Sequence, residues 1–150
     1  MMLTALVAVV DDGVDVITDD GVVLALVIRD SYSKDGVNFV TPPEFSQQLA
    51  YIAHPAGRKI APYVHNVLVR EVKLTQEVLV MKKGRLRVDF YGADLRYVTS
   101  RTLVAGDVVL LSSGGHGFEV IEDAAFIEIK QGPYMGDQDK VRFDPRGSPQ

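Results

Sequence analysis

The 150-residue chain contains no cysteine and no tryptophan, and only three histidines, His54, His65 and His116. Without thiols it forms no disulfide, no thiolate-bound cluster and no cysteine nucleophile. Imidazole is scarce, so any metal site draws on at most these three rings, with carboxylates supplying the rest. A basic surplus is missing too. Lys and Arg number 16 against 20 Asp and Glu, for a net charge of -4, which argues against a nucleic-acid partner. Long hydrophobic runs are also lacking. The mostly apolar stretch Met1–Val10 has about half the length of a membrane span. The first positive charge comes only at Arg29, whereas a signal peptide places one ahead of its apolar run. That stretch is therefore expected to be a buried strand, with no membrane partner and the cytoplasm as default compartment. A hydrophobic fraction of 47% excludes disorder over most of the chain.

What the chain has in abundance is turn punctuation between β-branched runs. Asp11-Asp12-Gly13, Asp19-Asp20-Gly21 and Lys34-Asp35-Gly36 are turn signals. The second separates Val14–Thr18 from Val22–Ile28, which predicts a hairpin. Further on, Val78–Met81 runs into Lys82-Lys83-Gly84, expected as a turn, and Leu86–Tyr91 then alternates with period two. Arg85, Arg87 and Asp89 are assigned to its outer face, opposite Leu86, Val88 and Phe90. Gly92-Ala93-Asp94, Ala105-Gly106-Asp107, Ser112–Gly115 and Glu122-Asp123 divide the chain from Tyr91 to Lys130 into more short strands. Such spacing predicts an all-β antiparallel sandwich or barrel. Thr41-Pro42-Pro43-Glu44 fits a helix start, with Phe45, Leu49 and Ile52 at helical spacing, but a strand is preferred there. Beyond Gly136 the chain turns polar and is expected to fray.

Several polar residues sit where bland surface does not explain them. Tyr63 and His65 share one face if their segment is extended. Glu77 opens an apolar strand, and His116 follows a Gly-Gly pair. Two His and one Glu from separate strands suit Fe, Mn, Ni or Zn as a divalent ion. Singly, a His in a β protein is more often surface or core than ligand, and Glu77 alone serves as an edge charge. Arg58 and Arg70 are candidates for phosphate or carboxylate. Glu128, Lys130 and Tyr134 are candidates for ligand binding near the last strand, and His54 for the mouth of the barrel. For each, a solvated loop or strand face is the alternative.

With these residues in place, the chain resembles the cupin superfamily. Glu77 is followed by six residues and then Gly84, as in that family's first motif. Gly57 and Pro62 stand ahead of the histidine positions, with His65 at the second and Tyr63 at the first. Gly106-Asp107 through Gly114-Gly115-His116 looks like the second motif, with Ser112 in place of Pro. The resemblance spans about residues 45–130. It implies a jelly-roll barrel over 1–136, with an N-terminal strand extension (1–44) and a polar tail (137–150). It further implies a small-molecule pocket, His65, Glu77 and His116 as metal ligands, and a homodimer. Leu3–Val10 is a candidate for strand exchange between the two copies. Tyr63 is then a fourth ligand, a proton donor or a filler, and Tyr63 and His54 are the candidate catalytic groups. Three functions are expected on this basis. One is a metal-dependent isomerase or oxygenase acting on a sugar or keto acid. Another is a metal-free sugar epimerase using His and Tyr as acid and base, and the third a non-catalytic carbohydrate-binding module.

Overall fold

The computed structural model describes residues 12–145; the apolar stretch Met1–Val10, including Leu3–Val10, lies outside them. The described residues are all-β apart from one short 3-10 turn, Gly136–Asp139. Six strands form a curled antiparallel sheet: β1 (Val14–Asp19), β2 (Val22–Ile28), β5 (Glu77–Tyr91), β6 (Tyr97–Val104), β7 (Val108–Leu111) and β8 (Gly115–Lys130). Two more, β3 (Gly36–Phe39) and β4 (Ala50–Ala53), pair with each other. Among the described residues no helix is long and apolar enough to cross a membrane.

The first hairpin forms where its turn residues dictate. Asp20 and Gly21 both adopt positive φ, 47° and 77°, the combination that joins two strands with matching twist. β1 and β2 pair from Val14↔Ile28 to Asp19↔Val22. The uninterrupted apolar run of β2 is explained by burial on both faces. Ala25 and Val27 pack with Leu79, Leu86, Val88, Phe90, Leu103 and Val109. On the other face Leu26 packs with Val78 and Leu110, against Phe45 and Leu49. Ile28, Val14 and Tyr32 meet Val40, Leu49 and Tyr51 from the β3–β4 unit. From Ala25 to Ile28 neighbouring side chains thus serve different cores, as period-two geometry requires.

Thr41–Gln48, expected as strand or helix start, is instead a side-chain-braced loop. The Thr41 hydroxyl donates to Gln48 Oε1 at 2.8 Å and accepts from the Leu49 amide at 3.1 Å. Gln48 Nε2 donates to the carbonyls of Pro42 and Phe45, both at 2.9 Å. Two adjacent prolines remove two backbone donors, and the glutamine side chain supplies the missing order. Regular strand begins only at Ala50.

Lys82-Lys83-Gly84 does not end a strand. β5 runs through it for 15 residues, and β8 runs through Glu122-Asp123 for 16. The β5–β8 register slips three times between Met81 and Leu86, and Gly84 holds φ 79°. A Cβ there would collide with the Asp123 carbonyl oxygen, so only glycine allows the strands to close at this point. The signal for a turn was a β-bulge, which uses the same left-handed backbone. At the bulge β5 changes neighbours. Glu77–Val80 pair with β7, and Arg85–Tyr91 pair with β6, so β6 and β7 lie end to end along one edge of β5. β8 covers the other edge throughout. The expected face assignment in this half of β5 is what the structure has. Leu86, Val88 and Phe90 are buried, while Arg87 pairs with Asp89 at 3.0 Å and with Glu119 at 2.8 Å.

Asp107 anchors the junction of β6 and β7. It is 1% exposed, yet its carboxylate is fully engaged. Oδ1 accepts from the Asp30 amide at 2.9 Å, and Oδ2 from the Val104 amide at 3.0 Å and Arg29 Nη1 at 3.1 Å. Arg29 also reaches Asp15 at 2.9 Å and the Thr102 carbonyl at 2.8 Å. A buried charge is tolerated only when so satisfied.

Candidate functional site

Glu77 opens β5, and His116 sits near the start of β8, where it pairs with Phe90 at the opposite end of β5. In a straight strand these ends would be about 40 Å apart. Here His116 Nε2 lies 3.3 Å from Glu77 Oε2. The curl of the β5–β8 ribbon about its central bulge makes this contact. It folds the two ends toward each other and leaves a cavity of about 700 Å³ between them.

The Glu77 and His116 side chains are 19% and 30% exposed, so both face the cavity while partly shielded from solvent. The hydrogen bond from the adjacent His116 imidazole holds the Glu77 carboxyl below its ordinary value of 4.5, against the opposing effect of burial; the nearby Lys130 and Lys140 reinforce the shift. Lys130 stands 3.4 Å from Glu128 and 3.9 Å from Asp139. Asp139 accepts from the Thr75 hydroxyl at 2.7 Å. Lys140 and Arg142 add two more cationic side chains to the wall. Tyr91 also lines the cavity; burial pushes its hydroxyl above the ordinary phenol value, with Asp89 and Tyr97 adding to the effect.

Of the residues singled out in the sequence, Glu77, His116, Glu128 and Lys130 come together here. His54, Arg58, Tyr63, His65 and Arg70 do not. They lie on the segment 54–75, which is exposed throughout and carries no regular secondary structure. Tyr63 is 76% exposed and meets His65 edge to face, with ring centroids 5.4 Å apart. Tyr134 is 86% exposed and does not line this cavity. Among the described residues no group of three or more His, Asp or Glu is arranged to hold a metal ion. The Glu77–His116 pair therefore supplies two donors of the expected three, and this arrangement does not bring His65 to them.

Sequence reading missed Tyr91, Asp139, Lys140 and Arg142. The last three belong to the polar tail that was expected to fray. Through residue 145 that tail instead lines the cavity. Phe143 packs edge to face on Tyr91, centroids 5.1 Å apart, and sits above Gly115, where a Cβ would come within 2.9 Å of its ring. The short Val141-Arg142-Phe143 run was the available signal: one aromatic among charges suffices to dock a tail where a glycine leaves room. No family model, no curated protein and no solved structure matches the chain.

Proposed function

We propose that the curled sheet is a cupin-type barrel that binds a small anionic molecule, such as a phosphorylated sugar or a keto acid, in the cavity walled by Glu77, Tyr91, His116 and the C-terminal segment. One observation carries this: an adjacent carboxylate and imidazole face an open cavity of about 700 Å³ that also receives Lys130, Lys140 and Arg142. A volume of this size suits a small molecule. Lys130 is shared between two carboxylates, so Lys140 and Arg142 are the cations available to an incoming phosphate or carboxylate. His116 and Glu77 form an acid–base couple of the kind that moves a proton next to a carbonyl, and Tyr91 is the nearby phenol.

Thermal-shift and calorimetric titration with phosphorylated sugars, keto acids and their neutral analogues tests the proposal. Anionic compounds should stabilise the protein, neutral ones should not, and Arg142→Ala should weaken the anionic response. Stabilisation by neutral sugars alone, unaffected by Arg142→Ala, overturns it.

A divalent metal held by His65, Glu77 and His116 remains a second proposal, favoured by the paired donors Glu77 and His116 at 3.3 Å. Among the described residues the donor set is incomplete, so the third ligand has to be brought to the pair. Elemental analysis of protein purified without chelator decides it. Bound metal that disappears in the Glu77→Ala, His116→Ala double variant supports the site, and metal-free protein with full ligand binding removes it.

A further inference from the structure

Two parts of the molecule are incomplete in complementary ways. The segment 54–75 is exposed at every residue. It is nonetheless rich in β-branched and aliphatic side chains: Val64 is 87% exposed, Val67 100% and Val69 101%. Its stretch Tyr63–Leu74 reads as a strand by propensity, yet has no neighbouring strand among the described residues. Its ends are held, by β4 on one side and by the Thr75–Asp139 hydrogen bond on the other. The second incomplete part is β8. Among the described residues it pairs only with β5, and no second strand lies along its other edge. Val120, Ile127 and Ile129 on it are each at least half exposed. Natural sheets rarely leave so long an edge uncovered.

We propose that the segment 54–75 is an exchange arm that docks along the free edge of β8 in a second copy of this chain. Charge selects the pairing. The arm carries Arg58, Lys59, Arg70 and Lys73 against the single acid Glu71, whereas β8 carries Glu119, Glu122, Asp123 and Glu128 against the single base Lys130, with Glu119 and Glu122 shared with Arg87 and Arg85 of β5. Length also fits: the twelve residues 63–74 extended span about 40 Å, within the roughly 50 Å of β8. The arm does not serve its own β8. Its last residues lead straight into β5 beside Lys130, with Thr75 tied to Asp139, so covering its own strand requires an immediate reversal. Between two copies the exchange is reciprocal, each arm covering the other's edge, as a closed twofold assembly requires. The stretch Met1–Val10 is the competing occupant, but it bears no charged side chain to match an acidic edge. Docking also lays Arg58, Tyr63, His65 and Arg70 along the strand that bears His116 in the other copy.

Sedimentation equilibrium of the full chain and its variants tests this. The wild-type chain should sediment at twice the monomer mass. Val67→Glu with Val69→Glu should give monomers with an unchanged circular dichroism spectrum, because both side chains are fully exposed within one copy. Arg70→Glu with Lys73→Glu should weaken association at least tenfold, and Glu119→Lys with Glu122→Lys in the same chain should restore it. The absence of cysteine allows a direct check: Val69→Cys and Val120→Cys chains, mixed, should cross-link to each other through a short bis-maleimide. A monomeric wild type at high micromolar concentration overturns the proposal. So does a dimer that survives the Val67/Val69 change but is lost on deletion of residues 1–10.

Discussion

Replacing Asp107 by alanine removes the one fully buried carboxylate at the β6–β7 junction. Three bonds go at once: those from the Asp30 and Val104 amides and that from Arg29. Arg29 keeps Asp15 and the Thr102 carbonyl, so its charge is not abandoned. The two amides are left without their acceptor, and each such loss costs about 1–3 kcal/mol. With the lost charge-assisted bond to Arg29, the whole change should cost about 3–5 kcal/mol, the range for breaking a buried pair from one side. Against a total stability of about 5–15 kcal/mol this leaves a folded but fragile protein. At a urea slope of about 2 kcal/mol per molar, the unfolding midpoint should fall by about 2 M. Asp107→Asn keeps one acceptor oxygen but turns an NH2 toward donors, and should cost about 2–3 kcal/mol. An Asp107→Ala midpoint within about 0.5 M of wild type refutes the role assigned to this carboxylate.

Other outcomes can be stated as directly. Gly84→Ala should destabilise by more than about 2 kcal/mol, because the new methyl meets the Asp123 carbonyl in a left-handed backbone; it should also lengthen the Glu77–His116 distance, visible as lost nuclear Overhauser contacts. A carbon-detected pH titration should find the Glu77 carboxyl below its ordinary value, and His116→Ala should bring it back up. Since that value is depressed in the folded state, its stabilisation is present in full above pH 4.5 and is lost as pH falls through the folded value. Urea midpoints of Glu77→Gln and wild type should therefore converge in acid, and divergence there contradicts the assignment. For an anion bound in the cavity, Lys140→Ala and Arg142→Ala should each weaken binding by roughly ten- to a hundredfold, the effect of losing one charge-assisted bond of about 1.5–3 kcal/mol; a change under twofold in both removes them from the site.

The fold was legible where local chemistry and global packing agree. Asp20-Gly21 is a hairpin turn by its own backbone preference, and the alternation from Leu86 to Phe90 matches burial of those side chains to 0–1% exposure. Lys82-Lys83-Gly84 misled because a glycine at positive φ is equally at home in a turn and in a bulge, and only the partner strand decides between them. Of the site, Glu77 was legible as a charge opening an apolar strand, and His116 by the Gly-Gly pair before it. Their meeting depends on the curl about Gly84, which no local pattern encodes. The tail was read by its charge, and Phe143 outweighed that charge by docking on Tyr91. The stretch around Tyr63 and His65 reads as extended by its β-branched composition, but composition does not say whether such a stretch finds a neighbour, and the structure gives it no regular secondary structure.

The end-to-end placement of β6 and β7 along β5 should also shape the order in which the chain folds. The β1–β2 and β5–β6 hairpins close within a few residues, on the microsecond scale of isolated hairpins. β2 then waits for β7, and the clasp between Asp30 and Asp107 joins groups 77 residues apart. Closing so long a loop has to precede the reward of burying Leu26 against Leu110, so folding should be slow for a chain of this size. During that wait the Val22–Ile28 strand, destined to be covered on both faces, stands open, and it is there that a folding chain is most exposed to capture by its neighbours.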